Sequence, residues 1–236
     1  TVQLADYFIR NDPNHLDKLE PKALNFLDLI FNIRVVTPHA DEAGMSEAFS
    51  AAANSACLSR QVGAAAYSEE GELLGVGWND VPRFGGGLYS SDNGEDDNRC
   101  FRWRGKICHN DDRKDKLNQQ IVDALKEMKV LKDGVPDVEV IFALRATDIR
   151  SLIEYSRSVH AEMAAILSVA RAGEVGLVGG TLYVTTFPCH SCARHIVAAG
   201  ITRVVYVEPY PKSLAIELHD DALFSGFRET KRNQVQ

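Results

Sequence analysis

The sequence lacks any apolar run near eighteen residues, and its first residues lack the basic-then-apolar pattern of a secretory signal. We therefore expect a soluble, cytoplasmic protein with no membrane contact. An excess of basic residues is also missing, because 26 Lys and Arg stand against 33 Asp and Glu, giving a formal net charge of −7. Proteins that hold long nucleic acids usually carry clustered positive charge, so the composition argues against such a substrate. Small anionic ligands remain compatible with it, because a pocket needs only a few local cations.

Cysteine is scarce as well. Of the five cysteines, only Cys189 and Cys192 have C-x-x-C spacing, and an odd count with such a pair favours metal chemistry in a reducing compartment over a disulfide framework. A structural zinc ribbon needs a second pair, which Cys57, Cys100 and Cys108 do not form. The sequence therefore predicts a metal site that is not a structural cage.

Apolar spacing and turn signals predict helices and strands along the whole chain. The predicted elements are, in order, a strand over Leu4–Arg10, a helix over Leu19–Asn32, a linker at Pro38, a helix from Met45, a hairpin over Val62–Asn79, a helix over Gln119–Lys129, a strand over Val138–Leu144, helices over Asp148–His160 and Ala161–Ala172, a strand over Thr181–Phe187, a helix over Cys189–Ala199 and a strand over Arg203–Glu208. Strands alternating with helices in the last third indicate a parallel sheet segment, and the hairpin adds antiparallel strands. The fold class is thus α/β with a mixed sheet. The charged stretch Asp92–Lys116 is predicted to be a solvated insertion.

Four residues at two predicted helix starts suggest a catalytic zinc site. His160 precedes one helix, and Cys189 and Cys192 lie on one face at the start of another, where the helix dipole favours thiolates. Three N/S ligands leave the fourth position of zinc open for water, as in catalytic sites. Glu162 lies two residues beyond the histidine and can move protons without binding the metal. The pattern H-x-E with P-C-x-x-C is the known signature of zinc deaminases.

Four stretches carry a family resemblance: SRQVGAA, GVGWN, HAEMAAI and TTFPCHSCARHIVAAGITRVVYVEPY. Their order is similar to that in deoxycytidylate deaminases, so the chain resembles the cytidine and deoxycytidylate deaminase superfamily over about Met45 to Phe227. The resemblance implies a three-layer α/β/α sandwich with a mixed five-stranded sheet. It implies one catalytic Zn²⁺ and assembly as a homo-oligomer. It also implies that Asn79 contacts the sugar hydroxyl and that the backbone at Ala161, with Glu162, reads the pyrimidine edge.

Two further sites are weaker expectations. Lys212 and Ser213 begin a predicted helix, which is a natural anion site, so they are candidate phosphate ligands. Arg60, Arg102 and Arg104 are other candidates. Some deoxycytidylate deaminases carry a second, structural metal in the insertion. By that resemblance Cys100, Cys108 and His109 are its candidate ligands here.

A closer likeness is to bacterial anti-phage dCTP/dCMP deaminases, carried by NDVPRFGGGLY, IEYSRSVHAEM and EPYPKSLAIELHDDA. It implies a zinc deaminase domain over residues 41–236 with an insertion at about 83–150. Residues 1–40 would then be a linker and the remnant of an upstream, regulatory P-loop kinase-like domain. The chain departs from that pattern because it has no G-x-x-x-x-G-K-[ST], so we expect a fragment.

The leading hypothesis is deamination of dCTP or dCMP that deprives an infecting phage of dCTP. A housekeeping dCMP deaminase that supplies dUMP is an alternative, and a deaminase of bases within nucleic acid would need a positive groove that the acidic composition disfavours. A zinc-binding subunit without chemistry would have no use for Glu162 beside an open metal position.

Overall fold

The computed structural model describes residue 9, residues 19–132 and residues 134–224. The chain divides into two compact units, Thr1–Ala43 and Gly44–Gln236. Apart from Ile9, the strand predicted over residues 4–10 lies outside the described residues, and the kinase-like origin of residues 1–40 stays a prediction. In the part that the structure describes, no helix is both long and apolar enough to cross a membrane.

The described elements form the following order along the chain: α1 (Leu19–Ile30), α2 (Ala40–Ala52), β1 (Gly63–Tyr67), β2 (Leu73–Trp78), a 3₁₀ segment (Ser91–Asp96), α3 (His109–Glu127), α4 (Asp137–Arg145), a second 3₁₀ segment (Asp148–Ser151), α5 (Ala161–Ala172), β3 (Thr181–Thr186), α6 (His190–Ala198), β4 (Arg203–Glu208) and α7 (Ala215–Leu218). In the first unit, α1 has no buried residue, and the Arg34 side chain that follows it bonds to Asp28 and Asn25.

The sheet of the second unit has the strand order β2-β1-β3-β4. β1 pairs antiparallel with both β2 and β3, whereas β3 and β4 run parallel, with Leu182 opposite Val204. A mixed sheet with a parallel crossover through α6 is therefore confirmed. The described part of the chain has four strands, not the expected five.

Helices cover both faces of this sheet, which confirms the three-layer α/β/α arrangement. Alternate side chains of β1 and β3 point to opposite faces, as the period of a strand requires. On one face, Ala64 and Leu182 pack against α5 and α6; on the other, Ala65 and Tyr183 pack against α2. Leu182, Ile196 and Val169 are almost fully buried, and each such side chain contributes about 1.5–3 kcal/mol relative to an exposed one.

Glycine lets α5 approach β2 closely. A Cβ placed on Gly77 would overlap the backbone nitrogen of Ala165 and lie 2.5 Å from the carbonyl oxygen of Ala161. Because Ala161 begins α5, this close approach sets the position of the start of the helix relative to the end of β2.

The missing fifth strand is the stretch predicted over Val138–Leu144, which forms α4 instead. Its alternating apolar residues fit a strand, but Pro136 stands immediately before the helix and acidic residues occupy its first turn. Val138 and Phe142 are exposed, so no sheet face covers them. The proline and the acidic first turn favour the start of a helix, and these local signals outweighed the period-two pattern.

The helix predicted over Asp148–His160 is also wrong beyond its first turn. Only Asp148–Ser151 is helical, as a 3₁₀ segment, and the following backbone bonds to nearby side chains: Ile153 N to the Glu154 carboxylate at 2.8 Å, and Ser158 N to Ser156 Oγ at 3.1 Å. Such bonds compete with the helix. The helix predicted over Gln119–Lys129 is confirmed, but α3 begins ten residues earlier, at His109.

Candidate active site

His160 is held at the junction of β2 and α5. It is the residue that precedes α5, and its backbone is extended. The preceding residue, Val159, donates its N–H to the Asp80 carbonyl at 2.9 Å, just beyond the end of β2. The backbone of His160 is therefore held by the end of β2 through the residue before it and by the start of α5 after it.

The two cysteines reach the same point from α6. Cys189 precedes the helix and its Sγ accepts the Cys192 N–H at 3.4 Å. His160 Nδ1 lies 3.3 Å from Cys189 Sγ and 3.4 Å from Cys192 Sγ, and all three donor atoms lie within 4.8 Å of one another. One imidazole nitrogen and two thiolates match the donor set of zinc, so these residues fit that ion.

The thiol pKa values show that the pair favours one thiolate. The side-chain hydrogen bond with Cys192 lowers the pKa of Cys189 to about 4. His160 lowers this pKa as well, whereas burial raises it. The same hydrogen bond, together with burial, raises the pKa of Cys192. A site that stabilises a thiolate before any ion arrives is suited to metal binding, because the thiolate is the form that coordinates.

Glu162 lies beside this cluster in the first turn of α5. It is buried, and that burial raises the pKa of its carboxyl group, while His160 acts in the opposite direction. Its side chain also contacts Cys192 by a hydrogen bond. A carboxyl group with a raised pKa beside metal ligands is suited to accept and return protons.

The cluster opens into a cavity of about 450 Å³, which is the size range of small-molecule sites. His160, Glu162 and Cys189 line one part of it. The cations that line the cavity are Arg60, Lys114, Arg150, Arg157 and Lys212, against the carboxylates of Asp111 and Glu162. An acidic chain thus concentrates positive charge at this pocket, which suits an anionic ligand.

The two residues predicted to contact base and sugar both line this cavity. Ala161 is fully buried at the start of α5. The Asn79 side chain makes most of its hydrogen bonds within the protein. Its Oδ1 accepts from Val62 N at 2.7 Å and from Ser55 Oγ at 2.9 Å, and its Nδ2 donates to Arg60 O at 2.7 Å. One amide hydrogen is left for a ligand. Both roles stay predictions.

Lys212 and Ser213, both predicted as phosphate ligands, differ in position. Lys212 lines the cavity, but Ser213 does not. Ser213 Oγ donates to Pro188 O at 2.7 Å and accepts from Ala215 N at 3.2 Å, so it ties the start of α7 to the residue before Cys189. α7 itself begins at Ala215 and has only four residues.

The residues expected to hold a second metal are not gathered into one group in the described part of the chain, and that site stays a prediction. Among the described residues, the one group of three or more potential ligands close enough to hold a metal is His160, Cys189 and Cys192. Cys108 interacts with Asp111, and the His109 ring contacts Trp103 edge to face, with 4.9 Å between centroids. Cys100 lies against Arg157 instead, with Nη1 to Sγ at 4.0 Å.

Sequence reasoning missed three of the pocket cations: Lys114, Arg150 and Arg157. Lys114 lay within a charged stretch interpreted as solvated, and Arg150 lay within a predicted helix of which only the first turn forms. Arg157 stands only three residues before His160, and this proximity was the one available signal.

The family model for the cytidine and deoxycytidylate deaminase zinc-binding region matches residues 38–208. The chain belongs to this zinc-binding deaminase family. The deoxycytidylate deaminase of Enterobacteria phage T2 is 47% identical over 55 residues, covering 23% of this chain and 29% of that protein. The ComE operon protein 2 of Bacillus subtilis is 46% identical over 55 residues, with the same two shares. A probable deoxycytidylate deaminase of Drosophila melanogaster is 27% identical over 169 residues, which is 72% of this chain and 59% of that protein.

The alignments with the phage T2 deaminase and with the Bacillus protein thus span less than a third of those two proteins. Among solved structures, the dCMP deaminase of cyanophage S-TIM5 in complex with dCMP and dUMP has a TM-score of 0.45 and 20% identity. That comparison covers 80% of this chain and 95% of the cyanophage chain.

Proposed function

We propose that the chain catalyses zinc-dependent hydrolytic deamination of deoxycytidine nucleotides, dCMP or dCTP, to deoxyuridine nucleotides with release of ammonia. The observation that carries this proposal is the buried Glu162 carboxyl group beside three zinc-type ligands, at one end of a pocket lined by five cations. The ligands and Glu162 suit hydrolysis, and the cations suit the phosphates of a nucleotide.

His160 Nδ1 and the Sγ atoms of Cys189 and Cys192 would hold the zinc ion. When bound, zinc lowers the pKa of a coordinated water towards about 7 and so supplies a nucleophile at neutral pH. Glu162 accepts the proton that the attacking water loses. Glu162 donates this proton to the pyrimidine ring nitrogen as the water oxygen bonds to the carbon that carries the amino group. It then takes the remaining hydroxyl proton and passes it to the amino group, so that the carbonyl forms, the carbon–nitrogen bond breaks and ammonia leaves.

Substrate selection follows from the rest of the pocket. The free N–H at Ala161, in the first turn of α5, has no partner within the helix and is available to the pyrimidine edge. Asn79 would contact the sugar hydroxyl through its remaining amide hydrogen. Lys212 and the other pocket cations would bind the phosphates, which distinguishes a nucleotide from a nucleoside.

The biological role rests on the family. The resemblance to anti-phage deaminases supports depletion of dCTP during infection. The phage relatives are named deoxycytidylate deaminases, and that name supports the alternative in which the product dUMP is the purpose. From the same resemblance we propose a cytoplasmic homo-oligomer.

The test is ammonia release by the zinc-loaded protein with dCMP, dCTP, CMP, CTP and a short single-stranded oligonucleotide in parallel. Turnover of deoxycytidine nucleotides alone supports the proposal, and the ratio between dCMP and dCTP separates the two biological roles. Turnover of the oligonucleotide would transfer the function to nucleic-acid editing. No turnover of any substrate by the zinc-loaded protein would contradict the proposal.

A further inference from the structure

Trp103, in the insertion, lies behind two side chains that line the pocket. The Arg157 guanidinium carbon is 3.6 Å from the centroid of the Trp103 ring, and the His109 ring contacts the same indole edge to face. The Arg104 guanidinium carbon is 4.5 Å from that centroid, but Arg104 does not line the pocket. Arg157 and His109 line the cavity, whereas Trp103 does not. The indole is therefore a support placed outside the pocket.

Arg157 is also held from a second direction. Its Nη1 donates to the Asn98 carbonyl at 3.2 Å and lies 4.0 Å from Cys100 Sγ. The stacked ring and these two contacts restrict a side chain that would otherwise sample many rotamers. Ordering such a side chain before a ligand arrives lowers the entropy that binding costs.

The charge of Arg157 is not neutralised by the protein. Among the described residues, no carboxylate forms an ion pair with it. By contrast, Arg60 pairs with Glu208 at 3.1 Å and Lys114 pairs with Asp111 at 2.7 Å. Arg157 therefore presents an ordered, unpaired guanidinium at the pocket, in a form that matches a phosphate group.

We propose that Trp103 is a positioning residue that orders Arg157 to bind the phosphate of the nucleotide substrate. The inference rests on the proposed function, because it assigns the phosphate subsite of the same pocket. It gives the insertion a role in substrate selection, since the indole and the Asn98 carbonyl both belong to that segment.

The test compares dCMP with deoxycytidine, which lacks the phosphate. We expect Trp103→Leu to lower kcat/KM for dCMP by about tenfold, the size of a desolvated cation–π contact, through KM and with kcat little changed. Deoxycytidine turnover and zinc content should stay near wild type. Trp103→Phe, which keeps a ring face, should recover most of the loss. In a double-mutant cycle, Trp103→Leu should add little to Arg157→Gln, because both act through one guanidinium.

Tyr155→Leu is the matched control. Arg113 lies 5.7 Å from the Tyr155 ring centroid, and neither residue lines the pocket, so this variant removes a cation–π pair without touching the subsite. Equal losses for dCMP and deoxycytidine in Trp103→Leu, or no loss, would overturn the proposal. If the wild-type protein deaminates neither compound, the proposed function fails. In that case, calorimetry of dCMP and deoxycytidine binding to the same variants tests the positioning role of Trp103 separately from catalysis.

Discussion

Glu162 combines three properties that a structural carboxylate would not need together. It is buried, it lies beside thiols and an imidazole, and it faces a cavity open to ligands. Burial of a carboxyl group costs stability unless the group is hydrogen-bonded, and the hydrogen bonds of Glu162 are to Cys192 and to the backbone of its own residue. Such a cost at a pocket is typical of a catalytic group.

We predict that Glu162→Gln binds zinc as the wild type does and loses activity by about 10²–10⁴-fold, the usual contribution of general acid–base catalysis. The amide keeps the size of the side chain but cannot accept the proton of the attacking water. Metal content by atomic absorption and turnover of dCMP provide the two readouts. Turnover near that of the wild type would exclude Glu162 as the proton carrier.

At this scale, the sequence predicted the residues whose chemistry is local. His160, Glu162, Cys189 and Cys192 stand at helix starts in recognisable patterns, so spacing alone brought them together. The pocket cations come from separate segments, and only the fold places Lys114 near Lys212. Whether each of these cations can bind a ligand depends on which carboxylates lie beside it in the fold, and no sequence pattern shows which carboxylates those are.

At the scale of elements, the contact between β2 and α5 positions the start of the helix that carries Glu162. We predict that Gly77→Ala lowers the free energy of unfolding by about 1–3 kcal/mol or more, because overpacking forces α5 away from the strand. It should also weaken zinc binding, since His160 precedes α5. Urea unfolding and zinc titration measure the two effects.

Gly71→Ala is the control for that substitution. Gly71 has a positive φ of 86° but nothing within 4 Å of an added Cβ, so it tests backbone strain without a clash. We expect that variant to lose about 1 kcal/mol and to keep its zinc affinity. Equal zinc affinity in both variants would contradict the role assigned to the contact.

A buried charge network fastens the insertion to the end of β2. Arg99 forms hydrogen bonds to both oxygens of Asp97, and its Nη1 lies 3.8 Å from Asp80 Oδ2. Asp80 also accepts from the backbone nitrogens of Ala56 and Val81. One guanidinium thus compensates two buried carboxylates. The hydrogen bonds to Arg99 lower the pKa of Asp97, whereas burial raises the pKa of Asp80.

We predict that Arg99→Met destabilises the protein by about 3–5 kcal/mol at pH 7, because it leaves buried charges without a partner. In the wild type, the contribution of Asp97 is complete above its unfolded pKa and is lost only as pH falls through its lowered folded pKa. In the variant, Arg99 no longer offsets the burial of the two carboxyl groups, so the pKa of each rises. The folded variant then takes up protons as pH falls, and its destabilisation relative to the wild type becomes smaller. Urea unfolding at pH 7 and pH 5 measures this penalty, with Arg145→Met, which removes an exposed ion pair with Asp115, as control. A penalty below about 1 kcal/mol, or one independent of pH, would contradict the network's role.

The elements that sequence patterns predicted correctly are those whose signals agree. The hairpin, α5, β3, α6 and β4 each have the right periodicity and matching ends, such as Gly173, which closes α5 at φ 73°. In the insertion, period and capping signals conflict, and the strand expected over Val138–Leu144 became α4. Where two local signals disagree in this way, the pattern of a single sequence does not show which of them prevails.

At the scale of the whole molecule, charge is distributed unevenly. The chain carries a formal net charge of −7, yet the pocket is lined by five cations and two carboxylates. Net charge gave no information on the pocket, and the expectation that long nucleic acid is not a substrate stays a prediction. The insertion, which composition alone suggested was solvent-exposed, supplies part of that lining through Cys100, Cys108, His109 and Lys114.

The metal site also joins parts of the fold that are distant in the chain. His160 and Cys189 are 29 residues apart, and β3 lies between them. An ion bound only by the folded state stabilises it by about 2.7 kcal/mol at a free concentration of 100 times Kd. For domains of this size, that corresponds to a rise in Tm of roughly 5–10 °C.

We therefore predict that chelation lowers the Tm of the protein by that amount and that added Zn²⁺ restores it. Cys189→Ala should begin at the lower Tm and respond to neither treatment, because two remaining ligands hold the ion too weakly to contribute at the same concentration. Differential scanning calorimetry with and without chelator checks this. If the variant responds to zinc as the wild type does, Cys189 is not a ligand. If the Tm of the wild type does not change on chelation, the folded state does not bind zinc in preference to the unfolded chain, and the assignment of these three residues as a zinc site fails.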